Sequence, residues 1–152
     1  MKSLTTNTLA DLGLSMRIPV KDKKPKYIQL KDSGNRLYIP TTVRSVLNDS
    51  AIPLHITEGE KKALKATQEG LFCIGLSGLW NWKNKGSEEL ISDFNQITLK
   101  NRAVYIVPDN DWLQPNKHGY AKNLKQAVYG LVIRLKERGA RVFIVELPGG
   151  HE

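Results

Sequence analysis

An α/β domain with a central, mainly parallel four-stranded sheet and helices on both faces is predicted by three observations. Short apolar runs at residues 54–57, 71–76, 103–107 and 141–146 alternate with stretches of helical spacing, the pattern of strands joined by right-handed crossovers. The first and third of these runs end in acidic residues, Glu58 and Asp109, and the C-terminal tips of such strands are where open α/β sheets place ligands. The chain has 152 residues, 40% hydrophobic and 25% charged, which suits one globular domain with a real core.

The elements follow in order. Residues 1–25 show no sustained period beyond a short helical stretch at 8–12, and Lys21-Asp22-Lys23-Lys24-Pro25-Lys26 makes this region a basic N-terminal arm, expected to be partly disordered. Residues 26–50 form an extension before the core. Tyr27–Leu30 and Arg36–Pro40 are β-rich runs around Lys31-Asp32-Ser33-Gly34-Asn35, which predicts a β-hairpin. Thr41 or Thr42 then caps a short helix reaching about Leu47. The core is assigned to residues 51–152. Its first strand, 54–57, turns at Gly59 into a helix over 59–69 closed by Gly70. The run 71–76 is apolar throughout, as in a buried parallel strand. Ser87 caps a predicted helix at Glu88-Glu89 with Leu90, Ile91 and Phe94 facing inward. Strand 103–107 leads to an acidic loop, and a long helix spans 119–138, its apolar residues from Tyr120 to Leu135 recurring at i, i+3, i+4, i+7. Strand 141–146 closes the sheet. No internal repeat and no low-complexity segment occurs.

The site candidates cluster at strand tips. Asp109 and Asp111 are two apart, so an extended backbone turns both side chains to one side, and Pro108 suits the point where ladder pairing stops. With Glu58 on a parallel neighbour, three carboxylates converge. Their mutual repulsion would raise at least one pKa, and a hard divalent cation with oxygen ligands, Mg²⁺ above all with Mn²⁺ as a substitute, relieves it. Each acid also has a plainer reading: Glu58 as a first-turn helix charge, the aspartates as a polar turn. Glu60 reads as a first-turn residue facing solvent. Lys61 and Lys62 stand where the helix dipole disfavours cations; a bound phosphate explains them, and so does a solvated lysine pair. Trp80 and Trp82 lie among Asn81, Lys83, Asn84 and Lys85, a mixture that stacks bases and meets phosphates. The alternative puts the rings in the core, which is expected for one of the two. His118 is a candidate phosphate contact, and His55, between Leu54 and Ile56, reads as structural.

Composition narrows the function. Lys and Arg number 23 against 15 Asp and Glu, a net charge of +8, which points to an anionic partner such as nucleic acid or to solubility alone. No apolar run reaches membrane-spanning length, the N-terminus lacks a signal-peptide core, and the single Cys73 fits a reducing cytoplasm and a place in the core. Neither a Walker A nor a G-x-G-x-x-G stretch is present, and no Cys/His spacing suggests zinc.

Three stretches, taken together, resemble a known family. Thr57-Glu58-Gly59-Glu60-Lys61-Lys62-Ala63, then Gly75-Leu76-Ser77-Gly78-Leu79-Trp80-Asn81-Trp82, then Asp109-Asn110-Asp111 are similar in order and spacing to the Toprim domain, and most to the Toprim-like domains of phage and plasmid replication proteins. The resemblance covers roughly residues 26–148. It implies a Toprim-like Rossmannoid three-layer fold that binds Mg²⁺ and nucleic acid, with Asp109 and Asp111 as metal ligands and Glu58 as ligand or general acid/base. The implied activity is phosphoryl or nucleotidyl transfer on DNA, RNA or nucleotides during replication of a plasmid, phage or mobile element, primase-like or primase-associated, beside a replicative helicase or primase-polymerase partner. A non-catalytic nucleic-acid or partner-binding module and a Toprim-type nuclease are the alternatives. Two departures stand out. Many primase Toprim domains have aspartate where Lys62 stands, and replication relatives continue into a Lys-Gly-x-Asp-Asp segment where this sequence ends at Gly149-Gly150-His151-Glu152, as expected of a fragment or a pared-down relative.

Overall fold

The computed structural model describes residues 34–110, 112–113 and 124–148, together with the backbone of two short strands, β1 (Met16–Arg17) and β2 (Tyr27–Ile28). Beyond these strands lie α1 (Thr41–Arg44), β3 (Leu54–Glu58), α2 (Glu60–Gln68), β4 (Cys73–Leu76), β5 (Ala103–Val107), α3 (Leu124–Glu137) and β6 (Arg141–Ile144). The central sheet has four strands in the order β4-β3-β5-β6, and every pairing in it is parallel. The α/β class, the four-stranded parallel sheet and its flanking helices are therefore as the sequence predicts.

The register explains the two faces. Leu54 pairs with Val104 and Ile56 with Ile106, and all four are buried to 1% exposure or less. Against this face pack Ala127, Val128, Leu131 and Leu135 of α3, part of one continuous cluster with Phe94, Leu79 and Trp82. The opposite face carries His55, Tyr105 and Phe143 side by side, their rings stacked at 5.1 Å across three strands. There α2 comes in close: a Cβ on Gly75 would lie 2.9 Å from the Gly59 carbonyl oxygen and 3.2 Å from Ala63 Cβ. Only glycine lets the start of α2 sit so near β4.

Three local expectations are corrected. The predicted helix at residues 88–89 does not form; a 3-10 turn occupies Ser92–Gln96. The Ile91 amide donates to the Trp82 carbonyl at 2.8 Å, and Asp93 accepts from Arg36 Nε and from the Leu37 amide, each at 2.9 Å. Those ties fix an extended approach, while Leu90, Ile91 and Phe94 still point inward. The predicted hairpin has a different partner on each side. β2 pairs antiparallel with β1, and Tyr38 exchanges two backbone hydrogen bonds of 2.9 Å with Gly75 on the edge of β4; the expected turn at 31–33 lies outside the described residues. The last strand ends at Ile144 rather than at 146. Most of the N-terminal arm, and residues 119–123 of the predicted long helix, also lie outside the described residues.

A buried arginine joins the extension to the core. Arg102 has 0% exposure. Its guanidinium donates to the carbonyls of Leu47 at 2.7 Å, Val46 and Ile52 at 2.8 Å and Thr98 at 3.3 Å. Burial lowers its pKa, and the charge of Asp49 opposes that.

Candidate functional site at the sheet edge

Glu58 is the last residue of β3, and Asp109 follows β5 by two residues. β3 and β5 are parallel neighbours with Thr57 opposite Val107, so both acids emerge at one edge of the sheet. Two further contacts hold that edge. Thr57 Oγ1 donates to the Val107 carbonyl at 3.2 Å, and beyond Asp109 the Trp112 amide donates back to the Asp109 carbonyl at 3.1 Å while the Trp112 ring is buried.

The turn from β3 into α2 is made by Gly59 at φ 98°, a backbone region that disfavours residues with a Cβ. Its amide donates to the Leu76 carbonyl at 2.6 Å, which anchors the helix start to the tip of β4. The result is a cleft of about 370 Å³ lined by Glu58, Gly59, Glu60, Lys61, Lys62, Ser77 and Asp109. Three strand tips and one helix start converge there.

Within the cleft, Lys62 and Asp109 form an ion pair, with side chains 55% and 36% exposed. Glu60 is half-buried rather than turned out to solvent; its charge adds to burial, the larger effect, in raising the Tyr38 pKa. Lys61 is exposed on the cleft wall. Ser77 sits just past β4, and its hydroxyl accepts from Asn81 Nδ2 at 2.8 Å.

The structure thus brings together Glu58, Asp109, Lys61 and Lys62. Asp111 and His118 lie outside the described residues. Among the described residues no group of three or more acidic, histidine or cysteine side chains is arranged to hold a metal ion. Trp82 is corrected from a candidate base contact to a core residue. It is 2% exposed, its Nε1 donates to the Ala127 carbonyl at 3.0 Å, and Gly130 leaves room for its ring, since a Cβ there would stand 2.8 Å from Trp82 Cζ2. Trp80 is the less buried ring of the pair, packed in part against the core. Lys83 is engaged by Glu88 at 2.7 Å, with Nζ 5.2 Å from the Trp80 ring centroid and 5.7 Å from that of Trp82. The hydrogen bond from Lys83 is also the main cause of the lowered Glu88 pKa.

Sequence reasoning missed Thr57 and Ser77 as parts of this edge. The signal for both was positional: Thr57 is the polar residue just before the acidic tip, and Ser77 is the first polar residue after an apolar strand.

Fold and cleft together define a class, an α/β domain with a parallel sheet whose C-terminal edge carries acidic strand tips and a basic helix start. The family profile described as "Domain of unknown function (DUF3854)" matches residues 43–152, and the chain belongs to that family. No curated protein and no solved structure matches it. Among the described residues, no helix is long and apolar enough to cross a membrane.

Proposed function

We propose that this domain binds Mg²⁺ and nucleic acid at the C-terminal edge of its sheet and serves phosphoryl or nucleotidyl transfer, in a Toprim-like manner, during replication of a plasmid, phage or mobile element. The observation that carries the reading is the shared cleft of Glu58, Asp109, Lys61 and Lys62. Carboxylates from two neighbouring strand tips fit the oxygen-donor chemistry of a hard divalent cation, and Asp111, two residues on, is the third donor of the proposed set. When bound, the metal would supply charge stabilisation for a transferring phosphoryl group. Lys61 and Lys62 would bind backbone or nucleotide phosphate. Glu58 would hold or accept a proton at its carboxylate. Gly59 and the Thr57–Val107 contact would orient these groups.

A second reading is favoured by one observation. Lys62 already neutralises Asp109, as suits a non-catalytic module that binds nucleic acid or a protein partner through its basic surface. The discriminating experiment incubates wild type and Glu58→Gln with labelled single-stranded DNA, ribonucleotides and Mg²⁺ or Mn²⁺, and follows both extension and cleavage. Extension lost in the variant supports the primase-like activity, and cleavage lost supports a nuclease. DNA binding without turnover in the wild type, alone or with a partner replication protein, leaves the binding module. Anisotropy titrations across salt concentrations test the nucleic-acid contact itself, because phosphate contacts give a steep salt dependence.

A further inference from the structure

We infer that Lys62 is a built-in competitor of the metal at Asp109, so that loading of the cation and of the anionic nucleic acid at this cleft are coupled. The inference rests on the proposed Mg²⁺ site and deepens it. Lys62 lies on the first turn of α2 and Asp109 follows β5, 47 positions later, so their ion pair spans the cleft between two separately anchored elements. Asp109 is held by the Trp112 turn and the end of β5. The Lys62 amine ends a flexible four-carbon stem that is more than half exposed. Of the two partners the lysine is the one free to swing.

An ammonium on Asp109 occupies one carboxylate oxygen and places a positive charge where a divalent cation would sit. Metal alone must therefore displace Lys62. A phosphate entering the cleft offers Lys62 a second anionic partner, beside Lys61 on the same helix start, and draws it away from Asp109. Linkage makes the effect reciprocal: whatever helps the anion help the metal lets the metal help the anion by the same factor. In the free cleft the Lys62 charge is then paired with Asp109, and each ligand eases the loading of the other.

The test is calorimetric titration of Mg²⁺ into the full chain at low salt, comparing wild type, Lys62→Gln and Lys62→Arg. Anisotropy of a fluorescent oligothymidylate with and without Mg²⁺ follows on the same proteins. An exposed lysine is replaced in each case, and far-UV circular dichroism checks that the fold is kept. Lys62→Gln is expected to bind Mg²⁺ about two- to fivefold more tightly than wild type, the range set by the usual strength of exposed ion pairs, while Lys62→Arg stays near wild type. Mg²⁺ is expected to tighten oligonucleotide binding by wild type and by Lys62→Arg more than by Lys62→Gln, which lacks the amine that the metal releases. Equal Mg²⁺ affinity in wild type and Lys62→Gln overturns the competition and leaves the metal site standing. Absence of Mg²⁺ binding in all three proteins overturns the metal site and the inference with it.

Discussion

Thr57 Oγ1 donates to the carbonyl of Val107 at 3.2 Å, and this side-chain contact ties the last paired residues of two parallel strands whose next acids share the cleft. Thr57 is only 8% exposed, so its hydroxyl has little access to water.

Thr57→Val removes that donor while keeping a β-branched shape. The loss is expected to cost about 1 kcal/mol, the usual net worth of one such hydrogen bond, read from urea unfolding. Mg²⁺ affinity should fall as well, because the spacing of Glu58 and Asp109 is no longer pinned. Unchanged affinity in a destabilised variant would show that the contact serves stability alone.

Asp109→Asn tests the acid itself. Its ion pair with Lys62 is exposed, and such pairs contribute about 0–1 kcal/mol. The melting temperature should therefore change little while Mg²⁺ uptake disappears in calorimetry. A large loss of stability would mean that the Asp109 side chain is a structural strut of the loop.

Arg102→Met addresses the buried cation. Four backbone carbonyls accept from Arg102, and methionine leaves them without that donor in a part-buried setting. The Val46 and Leu47 carbonyls keep the Asp49 and Thr98 amides as donors, so the cost falls on the Ile52 and Thr98 carbonyls. At about 1–3 kcal/mol for each unsatisfied buried group, a loss of about 2 kcal/mol or more is expected in denaturant unfolding. A loss below about 1 kcal/mol would show that these carbonyls find water once the guanidinium is gone.

His55 gives the fold a pH dependence. Burial lowers its pKa below the usual histidine value, against a smaller raising effect from a hydrogen bond at the Phe72 backbone, and its Nδ1 is buried without a partner. The unfolded chain therefore binds the proton more readily than the folded one. The stability that neutral His55 contributes is present above the unfolded pKa of about 6.5 and is lost as pH falls through the lower folded value. His55→Phe, which retains the stack on Tyr105, should flatten the fall in melting temperature between about pH 7.5 and 5. An identical fall in both proteins would place the titration elsewhere.

The strands 103–107 and 54–58 were legible because each is a short β-branched run with a chemical break at its end, and the sheet followed from their alternation with helices. The glycine at 59 marked the turn for the same local reason. What escaped were features set by distant partners. The segment 88–96 has helical-looking apolar spacing, yet Trp82 and Arg36 claim its backbone and Asp93 from across the fold. Trp82 looked accessible in a lysine-rich loop; its burial depends on a slot at Gly130, 48 positions away in a helix. That Lys62 pairs with Asp109 likewise depends on how α2 and the β5 loop face each other, which no local pattern encodes.

The double hydrogen bond between Tyr38 and Gly75 carries a practical consequence for where this domain begins. β4 is an apolar strand at the rim of the sheet, and an open rim of that kind is a template for sticking to another molecule's strands. Tyr38 covers it at Gly75, and Arg36 clamps the same stretch to Asp93. Both residues precede position 43, where the family match starts. A chain trimmed to 43–152 would lose this stopper, and it is expected to self-associate in light scattering where the longer chain does not; equal behaviour of the two would show that the rim of β4 is protected without it.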